Sequence, residues 1–220
     1  MNPIAKRVIT ALSVAAAVVC AVIYAPVWAV AAAVFALWLL AELELGQLLT
    51  RRLAPTSFAF FLAFAVGSTV MAAAFSALPI IAARHGNLAL LYVLSIVKVS
   101  DMGGFAFGLT SAKLMKGGNH KLCPTISPNK SWEGLFGSVF ASCLVSCCFA
   151  PVTHFAWPKA LAMGVAAALV GTFGDLVESK FKRWVGVKDS STMKITNGMG
   201  GVLDMFDSLV FAPTALCPFI

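Results

Sequence analysis

Charge is what this 220-residue sequence has least of: Asp, Glu, Lys and Arg together make up 11% of it, against roughly 25% in a soluble domain. Apolar residues fill the space, at 60%. That balance excludes an ordinary water-soluble domain. Cysteine offers no disulfide framework, since Cys20, Cys143, Cys147 and Cys148 lie inside apolar runs, where a small reduced side chain simply packs. His120 and His154 stand alone and receive no ligand role. No internal repeat is visible. Lys6 and Arg7 precede an apolar run, but a second run begins almost at once, so the first is expected to be a retained span rather than a cleaved leader.

What is present is a series of long apolar stretches. A bilayer core needs about 20 mainly apolar residues per helical crossing. Residues 8–24, 27–45, 57–78, 88–108, 131–150, 160–178 and 201–220 meet or approach that length. The expected fold is all-α: a polytopic membrane bundle of about seven transmembrane helices, with no separate soluble domain. Residues 1–87 would form N-terminal helices, and 88–220 a catalytic region with two basic loops. Pro79 is expected to break or kink the third span. Small residues at Gly164 and Ala166–Ala168 suit close helix packing.

The net charge of +7 does not point to nucleic acid, because the basic residues sit in short loops between apolar runs. With Lys6 and Arg7 placed in the cytoplasm, Arg51, Arg52, Lys113, Lys116, Lys121, Lys130, Lys180, Lys182, Arg183, Lys188 and Lys194 share that side. Only Arg84 and Lys159 fall opposite, and Lys98 falls within a span. This is the positive-inside bias of a membrane protein. The acids then supply separate information. Asp101, Glu133, Asp175, Glu178, Asp204 and Asp207 all gather near the cytoplasmic ends of the last four spans. Ionisable groups in spans cost a few kcal/mol each on insertion scales and mark sites or paths.

Asp175 and Glu178 are three residues apart, as are Asp204 and Asp207, so each pair shares a helix face. Neighbouring carboxylates repel unless a cation lies between them, and Mg²⁺ favours such oxygen ligands. Asn197-Gly198-Met199-Gly200-Gly201 leads into the last span and would let backbone amides approach a phosphate at a helix N-terminus. Lys180, Lys182, Arg183, Lys188 and Lys194 add charges suited to polyphosphate. Ser127-Pro128-Asn129-Lys130-Ser131-Trp132-Glu133-Gly134 opens the fifth span, with Pro128 expected at the first helical position and Ser127 as its N-cap. For Lys130 and Glu133, a site role and a structural ion pair stand level. Ser100-Asp101-Met102-Gly103-Gly104 is expected to break the fourth span, and Lys98 either snorkels or pairs with an acid.

These motifs resemble the phosphatidate cytidylyltransferase, or CDP-diacylglycerol synthase, family. The resemblance is carried by Ser179-Lys180-Phe181-Lys182-Arg183, Lys188-Asp189, and Gly200-Gly201-Val202-Leu203-Asp204-Met205-Phe206-Asp207-Ser208. It extends to Gly174–Ser179, Lys121–Gly134 and Ser100-Asp101, and so covers roughly residues 97–213. It implies transfer of a cytidylyl group from CTP to phosphatidic acid, with Mg²⁺ as cofactor and pyrophosphate as the second product. By that resemblance Asp175, Asp204, Asp207, Lys182 and Arg183 would be catalytic, and Glu178 would join the three aspartates around the metal. Lys130, Glu133, Ser127, Asn129, Lys188, Asp189, Gly200 and Gly201 would bind substrate. The implied setting is the inner membrane with the site facing the cytoplasm, and a homodimer is left open. Two positions depart from the family pattern. Met199 stands where histidine is usual and Met205 where arginine is usual; a thioether neither carries a proton nor pairs with phosphate. Lys194 is the candidate substitute. Three other readings compete: a CTP-dependent lipid alcohol kinase of the dolichol or phytol kinase type, a transporter with a cytoplasmic-side polar site, and an inactive relative.

Overall fold

A long apolar run leaves backbone groups no partner in hydrocarbon, so each run closes its hydrogen bonds as helix. The computed structural model describes residues 19–115, 117–187 and 201–220, without the side chains of Val202, Met205, Phe206 and Asp207. Residues 19–24 are helical. There follow α1 (Val27–Thr50), α2 (Phe58–His85), α3 (Asn87–Leu114), strands β1 (Lys121–Cys123) and β2 (Ser127–Ser131), α4 (Trp132–Thr153), α5 (Trp157–Val185) and α6 (Val202–Leu216). Helices α1 to α5 are each long and apolar enough to cross a membrane. α6 has 15 residues and is followed by a 3-10 turn, shorter than a full crossing needs. Most of the expected first span lies outside the described residues. Large apolar side chains such as Phe35, Phe61, Phe136 and Phe173 are exposed, as expected of a bundle whose outer surface meets lipid rather than water.

Two apolar clusters hold the helices together. One joins Tyr92, Val93, Ile96 and Val97 of α3 to Ala167 of α5 and to Ala212 and Leu216 of α6. The other joins Ala41, Leu45 and Leu49 of α1 to Met71, Ala74 and Phe75 of α2 and to Val210 of α6. Thus α6 touches both. Lipid tails are as apolar as leucine, so association rests on close packing and interhelical hydrogen bonds. Ser142 Oγ donates to the Gly164 carbonyl at 2.8 Å, and Ser146 Oγ to that of Ala160 at 2.6 Å. A Cβ on Gly164 would lie 2.7 Å from Cys143 Cα. The small residues of α5 therefore serve packing, as their sequence suggests.

Three expectations are corrected. Helix α3 is unbroken from Asn87 to Leu114; Gly103 and Gly104 do not interrupt it but let α4 approach. A Cβ on Gly103 would lie 2.6 Å from the Gly137 carbonyl oxygen, and one on Gly104 2.3 Å from Ser138 Oγ. Of the break or kink expected at Pro79, the break does not occur, since α2 runs on to His85 with Pro79 inside it. Pro128 is not the first residue of α4, because residues 127–131 pair antiparallel with 121–123. The true N-cap is Ser131, whose Oγ accepts from the Gly134 N–H at 3.1 Å.

The two ends of the bundle differ chemically. Asn87 Nδ2 donates to the carbonyls of Ile23 and Ala25, and Tyr92 stacks edge-on against Phe155. At the opposite end Arg52 donates to the Trp184 carbonyl at 2.7 Å and lies over its ring. The hairpin and the start of α6 share this second, charged end.

If glycine contact sets the α3–α4 distance, Gly137→Ala should lower thermal stability in detergent by roughly 1–3 kcal/mol through overpacking, since its Cβ would lie 2.4 Å from Phe107 Cβ. Gly46→Ala, whose Cβ meets nothing nearer than 3.6 Å, is the control and should leave the melting temperature nearly unchanged. Equal melting temperatures for the two variants would contradict the packing account.

Candidate active site

Short polar segments fold back onto the helices here because their charges find partners there. Strand β2 brings Lys130 across to α5, where its Nζ donates to Asp175 Oδ2. Both side chains are largely buried, at 25% and 19% exposure. Above them lies a cavity of about 520 Å³ bounded by α3, α4, α5 and the hairpin. Asp101, Asn119, Ser127, Asn129, Lys130 and Asp175 give it polar walls; Phe105, Leu109 and Leu135 give it an apolar side. Asn119 fastens the loop before the hairpin, donating through Nδ2 to the Gly108 carbonyl at 2.6 Å and to Ser131 Oγ at 3.2 Å.

A second cluster sits one turn further along α5. Lys182 Nζ lies 3.1 Å from Glu178 Oε2 and donates also to Asp204 Oδ1 of α6. The i,i+4 spacing of Glu178 and Lys182 stacks them on one helix face, and α6 delivers the third group. Asp204 also closes the first turn of its own helix, its Oδ2 accepting from the Gly201 N–H at 3.2 Å, the return half of a capping box. The next amide but one, Leu203 N–H, donates to Glu44 Oε2 of α1 at 2.9 Å. In the structure these two amides serve carboxylates of the protein.

The remaining expectations divide clearly. Lys98 does pair with an acid: its Nζ lies 3.5 Å from Asp101 Oδ2, and the buried Ser208 donates to the same oxygen at 2.7 Å. Lys130 and Glu133 do not pair with each other, because Lys130 is in a strand and the helical spacing does not apply. Glu133 Oε1 instead accepts from His120, through Nδ1 at 2.7 Å and the backbone N–H at 3.1 Å. His120 thus has a structural partner that its isolation in sequence concealed. Ser127 and Asn129 line the cavity. Arg183 is exposed in the last turn of α5. Lys188, Asp189 and Gly200, like the side chain of Asp207, lie outside the described residues, as do Lys194 and Met199. Sequence reasoning missed Glu44 and Asn119, and met Ser208 only as the last residue of the family motif. Glu44 carried a signal of its own, being a carboxylate inside an apolar run.

Among the described residues, no three carboxylate, histidine or cysteine groups are close enough to enclose a metal ion. The donor chemistry nonetheless fits Mg²⁺, which takes hard oxygens and usually only one or two protein carboxylates, with phosphate and water completing its shell. Glu178 and Asp204 already converge on one cationic centre. Asp207 lies three residues beyond Asp204 on the same helix.

Comparison with known proteins adds an independent line. The model of the cytidylyltransferase family matches residues 51–220. The chain is 44% identical over 124 residues to the phosphatidate cytidylyltransferase of Staphylococcus aureus (strain COL), covering 56% of this chain and 45% of that protein. It is 43% identical over 125 residues to the protein of the same name from Staphylococcus epidermidis (strain ATCC 12228 / FDA PCI 1200), with the same coverage. The chain thus spans less than half the length of these relatives.

Removing one member of a buried ion pair leaves an uncompensated charge and costs about 3–5 kcal/mol. Lys130→Ala and Asp175→Ala should therefore each destabilise the bundle clearly, while the double variant is no worse than either single one. Chemical or thermal unfolding in detergent measures this. Additive losses would show that the two side chains act separately.

Proposed function

The chain belongs to the cytidylyltransferase family, and we propose from that premise that it transfers the cytidylyl group of CTP to phosphatidic acid, yielding CDP-diacylglycerol and pyrophosphate. The observation that carries this reading is the Lys130–Asp175 pair lining a cavity that is polar on one side and apolar on the other, with the Glu178–Lys182–Asp204 cluster one turn further along α5. The cavity's volume is in the range of small-molecule pockets, about 300–1,000 Å³. A nucleotide arrives from water and a lipid phosphate from headgroup depth, and a site at the helix ends serves both. The positive-inside rule supports reading the basic end of the bundle as the cytoplasmic side of an inner membrane.

In the proposed reaction a phosphate oxygen of phosphatidic acid forms a bond to the α-phosphorus of CTP. The bond from that phosphorus to the bridging oxygen breaks, and its electron pair leaves with pyrophosphate. No protein nucleophile is needed; alignment and charge neutralisation carry the rate. Lys130 and Lys182 are cations already aimed by their carboxylate partners, and phosphate oxygens compete with those carboxylates for the same ammonium groups. Arg183, exposed in the last turn of α5, adds a positive charge for the triphosphate, and by the family resemblance Lys188 and Asp189 would bind substrate. Ser127 and Asn129 offer hydrogen bonds within the cavity, and Glu133 holds the hairpin through His120. Asp175, Glu178, Asp204 and Asp207 are the residues that would hold Mg²⁺, which when bound neutralises the charge on the phosphates. Met199 and Met205 contribute no proton and no phosphate contact, so the cationic side chains carry that work here.

Purified protein in phosphatidic acid micelles with Mg²⁺ should convert α-labelled CTP into a labelled lipid and release one pyrophosphate per lipid. Chelation of divalent cations should abolish turnover, and Asp204→Asn should reduce kcat by about 100-fold or more, the scale of losing one preorganised electrostatic contact. Release of CDP with transfer of the γ-phosphate would assign the protein to lipid kinases instead. Absence of any labelled lipid would refute the proposal.

A further inference from the structure

Glu44 is 2% exposed within the apolar stretch Leu39-Leu40-Ala41-Glu42-Leu43-Glu44-Leu45 of α1. A carboxylate in a membrane helix carries a cost of a few kcal/mol, so it persists only where a strong interaction compensates. Its Oε2 accepts the Leu203 N–H at 2.9 Å, from a residue 159 positions away. Leu203 is the second residue of α6, and first-turn amides lack intrahelical partners. The N-cap of α6 is Gly201, whose missing side chain makes no cap hydrogen bond of the usual kind. Glu44 therefore supplies from another helix what an N-cap side chain normally supplies from the same one. Its negative charge also suits the positive end of the helix dipole. Leu45, the next residue, belongs to the apolar cluster against which Leu203 packs, so the turn is held by packing as well as by the hydrogen bond.

The residue after Leu203 is Asp204, which receives Lys182 through one oxygen and the Gly201 N–H through the other. The turn that Glu44 grips is the turn that aims Asp204 at the ion-pair cluster. α1 lies before the residues matched by the family model, 51–220, so the matched region does not include this contact.

We propose that Glu44 is a positioning residue: it replaces the N-cap of α6 and fixes the register of Asp204, making α1 part of the site's geometry. It does not touch substrate. Its effect on rate rests on the cytidylyltransferase reading, while its effect on the first turn of α6 does not.

The experiment uses the full chain in detergent and compares Glu44→Gln, Glu44→Asp and Glu44→Ala for kcat, KM for CTP, melting temperature and hydrogen exchange. Gln keeps an acceptor at the same reach and should retain kcat within about three-fold. Asp withdraws the oxygens by one carbon–carbon bond, about 1.5 Å. Since a 1 Å misplacement of a reacting group can cost about 100-fold, Asp and Ala should lower kcat by roughly 30-fold with KM within about two-fold. Amides of residues 201–210 should exchange about ten-fold faster in those two variants, as a locally opened turn does, with α3 unchanged. Should the Ala variant fail to fold, the contrast between Asp and Gln decides. A Glu44→Asp protein with normal kcat and normal exchange would overturn the proposal. So would parallel losses in all three variants that simply follow melting temperature. If the unaltered chain makes no labelled lipid, the functional reading fails, and the exchange data alone judge Glu44.

Discussion

Charged groups at one end of this bundle are kept in place by partners on other elements, and the rest of the architecture depends on that exchange. Lys182 of α5 reaches Asp204 of α6, Lys130 of β2 reaches Asp175 of α5, and Glu44 of α1 reaches the first turn of α6. In a medium of low dielectric constant an isolated charge is costly and a paired one is strongly held. The same contacts that make the acids tolerable also fix where they stand. Stability and site geometry are therefore one problem here, solved by the same hydrogen bonds.

Close packing sets the frame in which those pairs form. Gly103 meets the Gly137 carbonyl at a distance that no side chain at the glycine would permit, bringing α3 and α4 into intimate contact. The hairpin crosses from the end of α3 to the start of α4 and carries Lys130 inward. Because α3 continues to Leu114, Asp101 stands half-way along its helix rather than near its end. It faces the cavity together with Asp175, so the polar region reaches deeper than the helix ends alone would place it.

Much of this was legible in the sequence. Runs of apolar residues marked the five long helices, and the gathering of acids marked the region where Asp175, Glu178 and Asp204 find their cations, although Asp101 stands deeper than the expected common depth. Three features were not legible, each for a physical reason. Residues 121–131 lack the alternation of a half-buried strand, so the hairpin looked like a helix start. Gly103 and Gly104 looked like a break because the need for close approach is written on the partner helix, not beside the glycines. Glu44 was visible as a misplaced charge, yet its partner is a backbone amide 159 residues away, and a backbone amide has no side-chain signature. His120 and Glu133 are a similar case: their pairing follows from the hairpin, and the hairpin had to be known first.

Glu178 and Asp204, from separate helices, share the Lys182 ammonium, and the proposed reaction has a divalent ion enter between them when nucleotide competes for Lys182. Electron paramagnetic resonance of Mn²⁺ added to the protein with and without CTP tests this most directly. The account predicts that CTP strengthens Mn²⁺ binding to the unaltered chain and that this gain disappears in Asp204→Asn. Mn²⁺ binding that is indifferent to CTP, or equally strong in the variant, would contradict it.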